Sequence, residues 1–215
     1  MSSPHLLSKS SFLKGLQCHK ALFLYKNHYH LRDPIPKERQ AVFNRGHEVG
    51  LLARKLFPGG VDASPVKVSK FSESVEKTKG LIANGTEVIY EAAFQFSDTL
   101  VALDLLVKSS IHGQVHPPLS NWRGVGGEAW NAYEVKSSAK ISSTYILDAA
   151  LQYYVIRNSG IEISDFFIIN LNTKYFRNGN LDLEKLFVKT SVMEEIIKKQ
   201  PFIEENISVL KNVLS

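Results

Sequence analysis

The sequence holds a single cysteine, Cys18, among 215 residues. That scarcity excludes an intramolecular disulfide, a four-cysteine zinc site and a cysteine-held iron–sulfur cluster. It fits a reducing, cytoplasmic setting. Long apolar runs are missing too. Stretches such as Phe166-Phe167-Ile168-Ile169 are far too short to span a bilayer. The opening Met-Ser-Ser-Pro-His-Leu-Leu-Ser-Lys lacks the apolar segment of a secretory signal, so neither export nor a membrane partner is expected. Basic residues never run five or six in a row, so any surface for a polyanion has to be assembled by folding. The phosphate-binding loop G-x-x-x-x-G-K-[ST], the nucleophile elbow G-x-S-x-G and the zinc motif H-E-x-x-H are all absent. P-loop enzymes, α/β-hydrolases and zincins drop away with them.

What is present suits an ordered globular chain: 44% hydrophobic and 22% charged residues are enough to build a core. Lys plus Arg exceed Asp plus Glu by 26 − 21 = 5, a balance that suits nucleic acid without demanding it. The pattern predicts a first helix over 8–25, with serines in front to cap it and Cys18 buried within it. A proline-bearing loop follows at Asp33-Pro34-Ile35-Pro36, then helices over 37–57 and 72–83. Two β-rich runs, 88–96 and 100–108, flank Ser97-Asp98-Thr99 and read as a hairpin. Residues 109–130 read as a long polar excursion in which Trp122 and Trp130 either anchor the loop or stack on bases. A strand at 132–137, a helix at 144–158 and a strand at 165–171 follow. The tail from 182 reads as helical, broken by Pro201. This order is that of a mixed α/β fold. We read residues 1–215 as one domain: a helical lobe over 1–85, a sheet with its crossover helix over 86–175, and C-terminal helices over 176–215.

Two features carry chemistry. Asp104 lies inside the apolar strand Leu100-Val101-Ala102-Leu103-Asp104-Leu105-Leu106-Val107, where an unpaired carboxylate is costly and calls for a cation. Glu134-Val135-Lys136 is the sole acidic-x-Lys triplet. The strand period of two puts Glu134 and Lys136 on one face. An Asp on one strand and an acidic-x-Lys on the next, followed by a crossover helix, is the arrangement of a metal-dependent phosphodiesterase. Two carboxylates can hold Mg²⁺ or Mn²⁺, and the lysine can orient a water or stabilise developing charge. On spacing alone, an ion pair on a solvated sheet face stays open as the alternative. Asp148 and Gln152, four apart, share a helix face, while Glu91 is either a second acceptor near the site or half of a hairpin ion pair. The pairs His28/His30 and His112/His116 read as solvated histidines.

These motifs, from Ser8 to about Tyr175, resemble the PD-(D/E)XK nuclease superfamily, in particular its RecB-like exonuclease branch and a related uncharacterised bacterial family. Asp104 matches the Asp of the second core strand, and Tyr-Glu134-Val-Lys136-Ser-Ser matches the E-x-K signature. Leu-Ser-Lys-Ser-Ser-Phe-Leu-Lys-Gly-Leu-Gln-Cys18-His-Lys-Ala-Leu-Phe-Leu is similar to the branch's N-terminal helix. Phe43-Asn-Arg-Gly46-His-Glu48-Val-Gly50 resembles the helix bearing its first acidic motif. The chain departs from the pattern in carrying Gly50 where relatives often place a histidine, and in offering Asp148 and Gln152 where they carry Q-x-x-x-Y.

The resemblance implies a restriction-endonuclease-like α/β core, a small mixed β-sheet flanked by helices, and a divalent-metal-dependent nuclease acting first of all on DNA. It implies Asp104 and Glu134 as ligands of Mg²⁺ or Mn²⁺, with Glu48 as the third and His47 as the other option. Lys136 would be the catalytic lysine and Gln152 an accessory. The four cysteines that hold an iron–sulfur cluster in some relatives are not here, so no cluster is carried over. The flanking Gly46 and Gly50 would let the Glu48 helix approach the sheet closely. The alternative function is a catalytically silent nucleic-acid-binding or assembly module with the same fold.

Overall fold

A computed structural model describes residues 6–66, 70–109 and 129–215. The chain starts with a two-residue strand, β1 (Leu7–Ser8), that runs straight into α1 (Lys9–Gln17). Ser8 caps that helix reciprocally: the Ser8 N–H donates to Ser11 Oγ at 2.7 Å and the Ser11 N–H donates back to Ser8 Oγ at 3.4 Å. The single helix expected over 8–25 is instead two, because Cys18 is extended (φ −165°, ψ 118°) between α1 and α2 (His19–Asn27). Cys18 is therefore exposed, not buried. The break lets α1 and α2 each pack against the C-terminal helix, α1 with Gly15 beside Leu210. One straight rod could not do both.

A 3₁₀ turn (Tyr29–Leu31) and Pro36 lead into α3 (Lys37–Arg54), followed by β2 (Val61–Asp62) and α4 (Phe71–Ala83). The expected hairpin is β3 (Val88–Phe96) and β4 (Thr99–Lys108). Its turn is only Ser97-Asp98, both left-handed at φ 45° and 54°, because Thr99 already pairs with Phe96. Next come β5 (Ala129–Lys136), the crossover helix α5 (Ser143–Asn158) and β6 (Glu162–Leu171), which lies parallel to β5. The tail departs from the all-helical expectation. It has α6 (Leu183–Leu186), a strand β7 (Phe187–Ser191), then α7 (Met193–Lys198) and α8 (Gln200–Leu214). Pro201 opens α8 instead of breaking it, since a first-turn residue needs no N–H.

Among the described residues, seven strands form one mixed sheet in the order β2-β3-β4-β5-β6-β7, with β1 added beside β4. Helices cover both faces, the α/β class that the element order predicted. On one face α5 is buried along most of its length, wedged between β3, β4 and β6 and the helices α1, α7 and α8. On the other face Val49 and Ala53 of α3 pack on Leu105, Tyr133 and Ile169. Trp130, expected in a loop, is a core residue of β5 at 2% exposure, packed with the α5 face. Trp122, His112 and His116 lie outside the described residues.

The sheet parts where the site forms. β4 and β5 stay paired only as far as Leu105 opposite Tyr133, while β5 continues along β6 to Lys136 opposite Asn170. Beyond the parting, β1 takes the edge that β5 leaves, with Leu7 opposite Thr99 and Ser8 opposite Leu100. The β3–β4 ladder is also interrupted there, without a change of register. Tyr90 pairs with Leu105 and Ala92 with Leu103, but Glu91, between them, is left-handed at φ 54°. Alternation breaks at that point. Ile89 and Ala92 pack on the α5 side together with Leu103 and Leu106, whereas Tyr90 and Leu105 pack on the α3 side.

Candidate active site

The parted strands leave backbone groups without ladder partners, and Asp104 meets one of them. Its Oδ2 accepts the Val135 N–H at 2.6 Å, replacing the bond that a continued β4–β5 ladder would have supplied. Its other oxygen accepts no hydrogen bond among the described residues. Glu134, only 3% exposed, faces α5 as the strand period requires. There Lys136 Nζ bridges Glu134 Oε1 and Asp148 Oδ2, each at 2.7 Å. Gln152 Nε2 donates to Glu134 Oε2 at 2.9 Å, and its own Oε1 has no partner among the described residues. Asp148 and Gln152 are one turn apart on α5, whose N-terminus is capped by the Ser142 hydroxyl accepting from the Tyr145 N–H.

One member of this cluster went unread in the sequence. Lys9, the first residue of α1, places Nζ 3.1 Å from Glu134 Oε1, 3.3 Å from Oε2 and 3.9 Å from Asp148 Oδ1. It is delivered there because β1 fills the edge of β4 and α1 starts immediately after it. No local pattern marks a lysine whose partner is 125 residues away.

The electrostatics divide the two carboxylates. Burial raises Asp104, the negative charge of Glu134 raises it further, and its pKa climbs from 3.8 to about 8. Burial alone would raise Glu134 as well. The Lys136 and Lys9 ammoniums, with hydrogen bonds from Lys136 and Gln152, outweigh it and hold that carboxyl well below the usual range. Both lysines stay protonated: burial works against their charge, but the surrounding carboxylates raise each above the ordinary lysine value. Lys136 is thus an electrostatic group and not a base at neutral pH.

A cleft of about 300 Å³ opens over this cluster, lined by Asp104, Glu134, Lys136, Tyr145, Glu91 and a stretch of α3. From α3 come Gly46, His47, Gly50, Leu51 and Arg54. Gly46 and Gly50 would meet nothing within 4 Å if given a Cβ, so they do not serve close helix–sheet packing. They leave the cleft wall open instead. Glu48 is exposed and is not among the lining residues, whereas its neighbour His47 is. Successive helix residues point about 100° apart, and here it is His47 that falls on the cleft side. Arg54 ties the opposite wall, donating to Glu91 Oε1 at 2.8 Å and to Asp62 Oδ2 at 2.6 Å. Asp104, Glu134, Lys136 and Gln152 are therefore brought together, and Glu48 is apart from them.

Hard oxygen donors from adjacent strands suit Mg²⁺ or Mn²⁺. Among the described residues no three His, Cys, Asp or Glu side chains cluster tightly enough to form a metal shell by themselves. Mg²⁺ does not need one, since it is commonly held by one or two carboxylates and keeps several waters. The free oxygen of Asp104 and the two ammoniums drawn to Glu134 mark a place that attracts positive charge. The residues fit such an ion.

No protein-family profile matches the sequence, and no curated protein does. Among solved structures, the chain is similar to an alkaline exonuclease (LHK-Exo) from Laribacter hongkongensis, at 10% identity and a TM-score of 0.35, over 98% of this chain and 90% of that one. Among the described residues, no helix is long and apolar enough to cross a membrane.

Proposed function

We propose that this chain is a divalent-metal-dependent nuclease of the restriction-endonuclease-like kind, hydrolysing phosphodiester bonds in nucleic acid, with DNA as the expected substrate. One observation carries the reading: two carboxylates and a charged lysine converge at the base of a cleft where two strands part. Asp104 and Glu134 would hold Mg²⁺ or Mn²⁺ with waters completing the shell, and of the two α3 candidates it is His47, not Glu48, that lines the cleft beside them. Such an ion, when bound, lowers the pKa of a water and polarises the phosphate.

The chain's own groups account for the rest. Lys136, held positive between Glu134 and Asp148, stabilises negative charge as it grows on the phosphoryl oxygens. Attack of water on phosphorus forms one P–O bond and breaks another, leaving a phosphate and a hydroxyl end. Gln152 fixes Glu134 through its amide, and Asp148 fixes Lys136. Arg54, on the opposite wall, offers a cation to a neighbouring phosphate.

The test is incubation with linear and circular, single- and double-stranded DNA in Mg²⁺, in Mn²⁺ and in EDTA. Cleavage is expected with either metal and none in EDTA. Lys136→Ala should retain DNA binding and lose turnover by about 10²- to 10³-fold, the size of a lost transition-state contact. Binding without cleavage under any divalent metal would identify a silent binding module instead.

A further inference from the structure

Glu134 is over-supplied with positive charge. Lys136 alone satisfies Oε1 at 2.7 Å, and Gln152 satisfies Oε2 at 2.9 Å. Lys9 then spans both oxygens at 3.1 and 3.3 Å, longer contacts that add charge more than geometry. Its side chain is 26% exposed, against 4% for Glu134, so Lys9 reaches the carboxylate from the wetter side. Lys9 also has a second carboxylate within range, Asp148 Oδ1 at 3.9 Å. It can therefore leave Glu134 without becoming an isolated buried charge, which would be expensive. Three carboxyl groups, Asp104, Glu134 and Asp148, face two ammoniums in this cluster. An incoming dication is attracted by the first set and repelled by the second.

We propose that Lys9 is a resident counter-ion that Glu134 exchanges for a divalent cation, so that Lys9 sets the metal affinity of the site. This rests on the reading of Asp104 and Glu134 as metal ligands. The N-terminal arm thereby belongs to the site: β1, by pairing with β4, holds the ammonium where the carboxylate needs it while no dication is bound. A lysine with a purely structural role would weaken metal binding when lost, because Glu134 would be less well placed. A counter-ion does the reverse.

The experiment is Mn²⁺ binding to the full chain, measured by calorimetry without nucleic acid, for wild type, Lys9→Met, Lys9→Arg and Asp104→Ala. Lys9→Met should bind Mn²⁺ at least tenfold more tightly than wild type, and Lys9→Arg should stay within about threefold of it, given the charge it keeps. An unchanged or weaker affinity in folded Lys9→Met overturns the inference. A second measurement needs no variant: acetylation of Lys9 in the wild-type chain, followed by mass spectrometry. Adding Mg²⁺ should speed it severalfold relative to the exposed Lys70, and an unchanged rate overturns the proposal. The two claims fail separately. If wild type and Asp104→Ala bind Mn²⁺ alike or not at all, the metal reading itself falls. If Asp104→Ala abolishes binding while Lys9→Met does nothing, only the role of Lys9 falls.

Discussion

Replacing Asp104 by asparagine should stabilise the metal-free protein, and by an amount that grows with pH. The folded-state pKa is raised, so the proton on Asp104 contributes stability that is fully present below the unfolded value and is lost as pH rises through the folded one. A shift from 3.8 to about 8 at 1.36 kcal/mol per unit sets a ceiling of about 6 kcal/mol. Asp104 lines the open cleft, where water screens its charge, so about 2–3 kcal/mol is the reasonable expectation. For a chain of this length, 1 kcal/mol moves Tm by about 2–4 °C. In EDTA, Asp104→Asn should therefore melt about 5–10 °C above wild type at pH 8.5, and the gap should shrink steadily toward pH 4.5. The asparagine oxygen can still accept the Val135 N–H, so that hydrogen bond does not confound the comparison. The assay is thermal melting by circular dichroism across that pH range. A gap that does not change with pH, or a variant less stable than wild type at pH 8.5, would refute the electrostatic account of the site.

His47→Ala should weaken Mn²⁺-supported cleavage by at least tenfold, with partial rescue at higher Mn²⁺, whereas Glu48→Gln should stay near wild type in the same titration. The opposite ranking would mean that α3 is rotated from the orientation described. Arg54→Ala should lower the slope of log DNA affinity against log salt by about one, measured in EDTA by fluorescence anisotropy, as expected for the loss of one phosphate contact. An unchanged slope would confine Arg54 to its pairing with Glu91 and Asp62.

Much of this architecture was legible because the β3–β4 hairpin, β5, α5 and β6 are strongly periodic and bounded by turn residues. Asp104 stood out because a carboxylate in an apolar strand is expensive, and Glu134 and Lys136 because the strand period puts them on one face. What was hidden depends on distant contacts. The helix break at Cys18 follows from packing two short helices on α8, and β7 from an edge offered by β6. Trp130 looked like loop because its polar neighbours outweighed a short strand. Glu48 was favoured over His47 by residue type alone, and only the setting of α3 over the cleft separates the two. Lys9 could not be read because its role arises where β4 and β5 part, and β1 and α1 deliver it there from the far end of the chain.

The most direct test of the central claim is a crystal of the full chain soaked in Mn²⁺ and measured at the manganese absorption edge. The account predicts one anomalous peak at the base of the cleft, within coordination distance of Asp104 and Glu134, and no such peak in an Asp104→Ala crystal soaked alike. Manganese bound elsewhere, with Asp104 and Glu134 both bare at saturating metal, would contradict it.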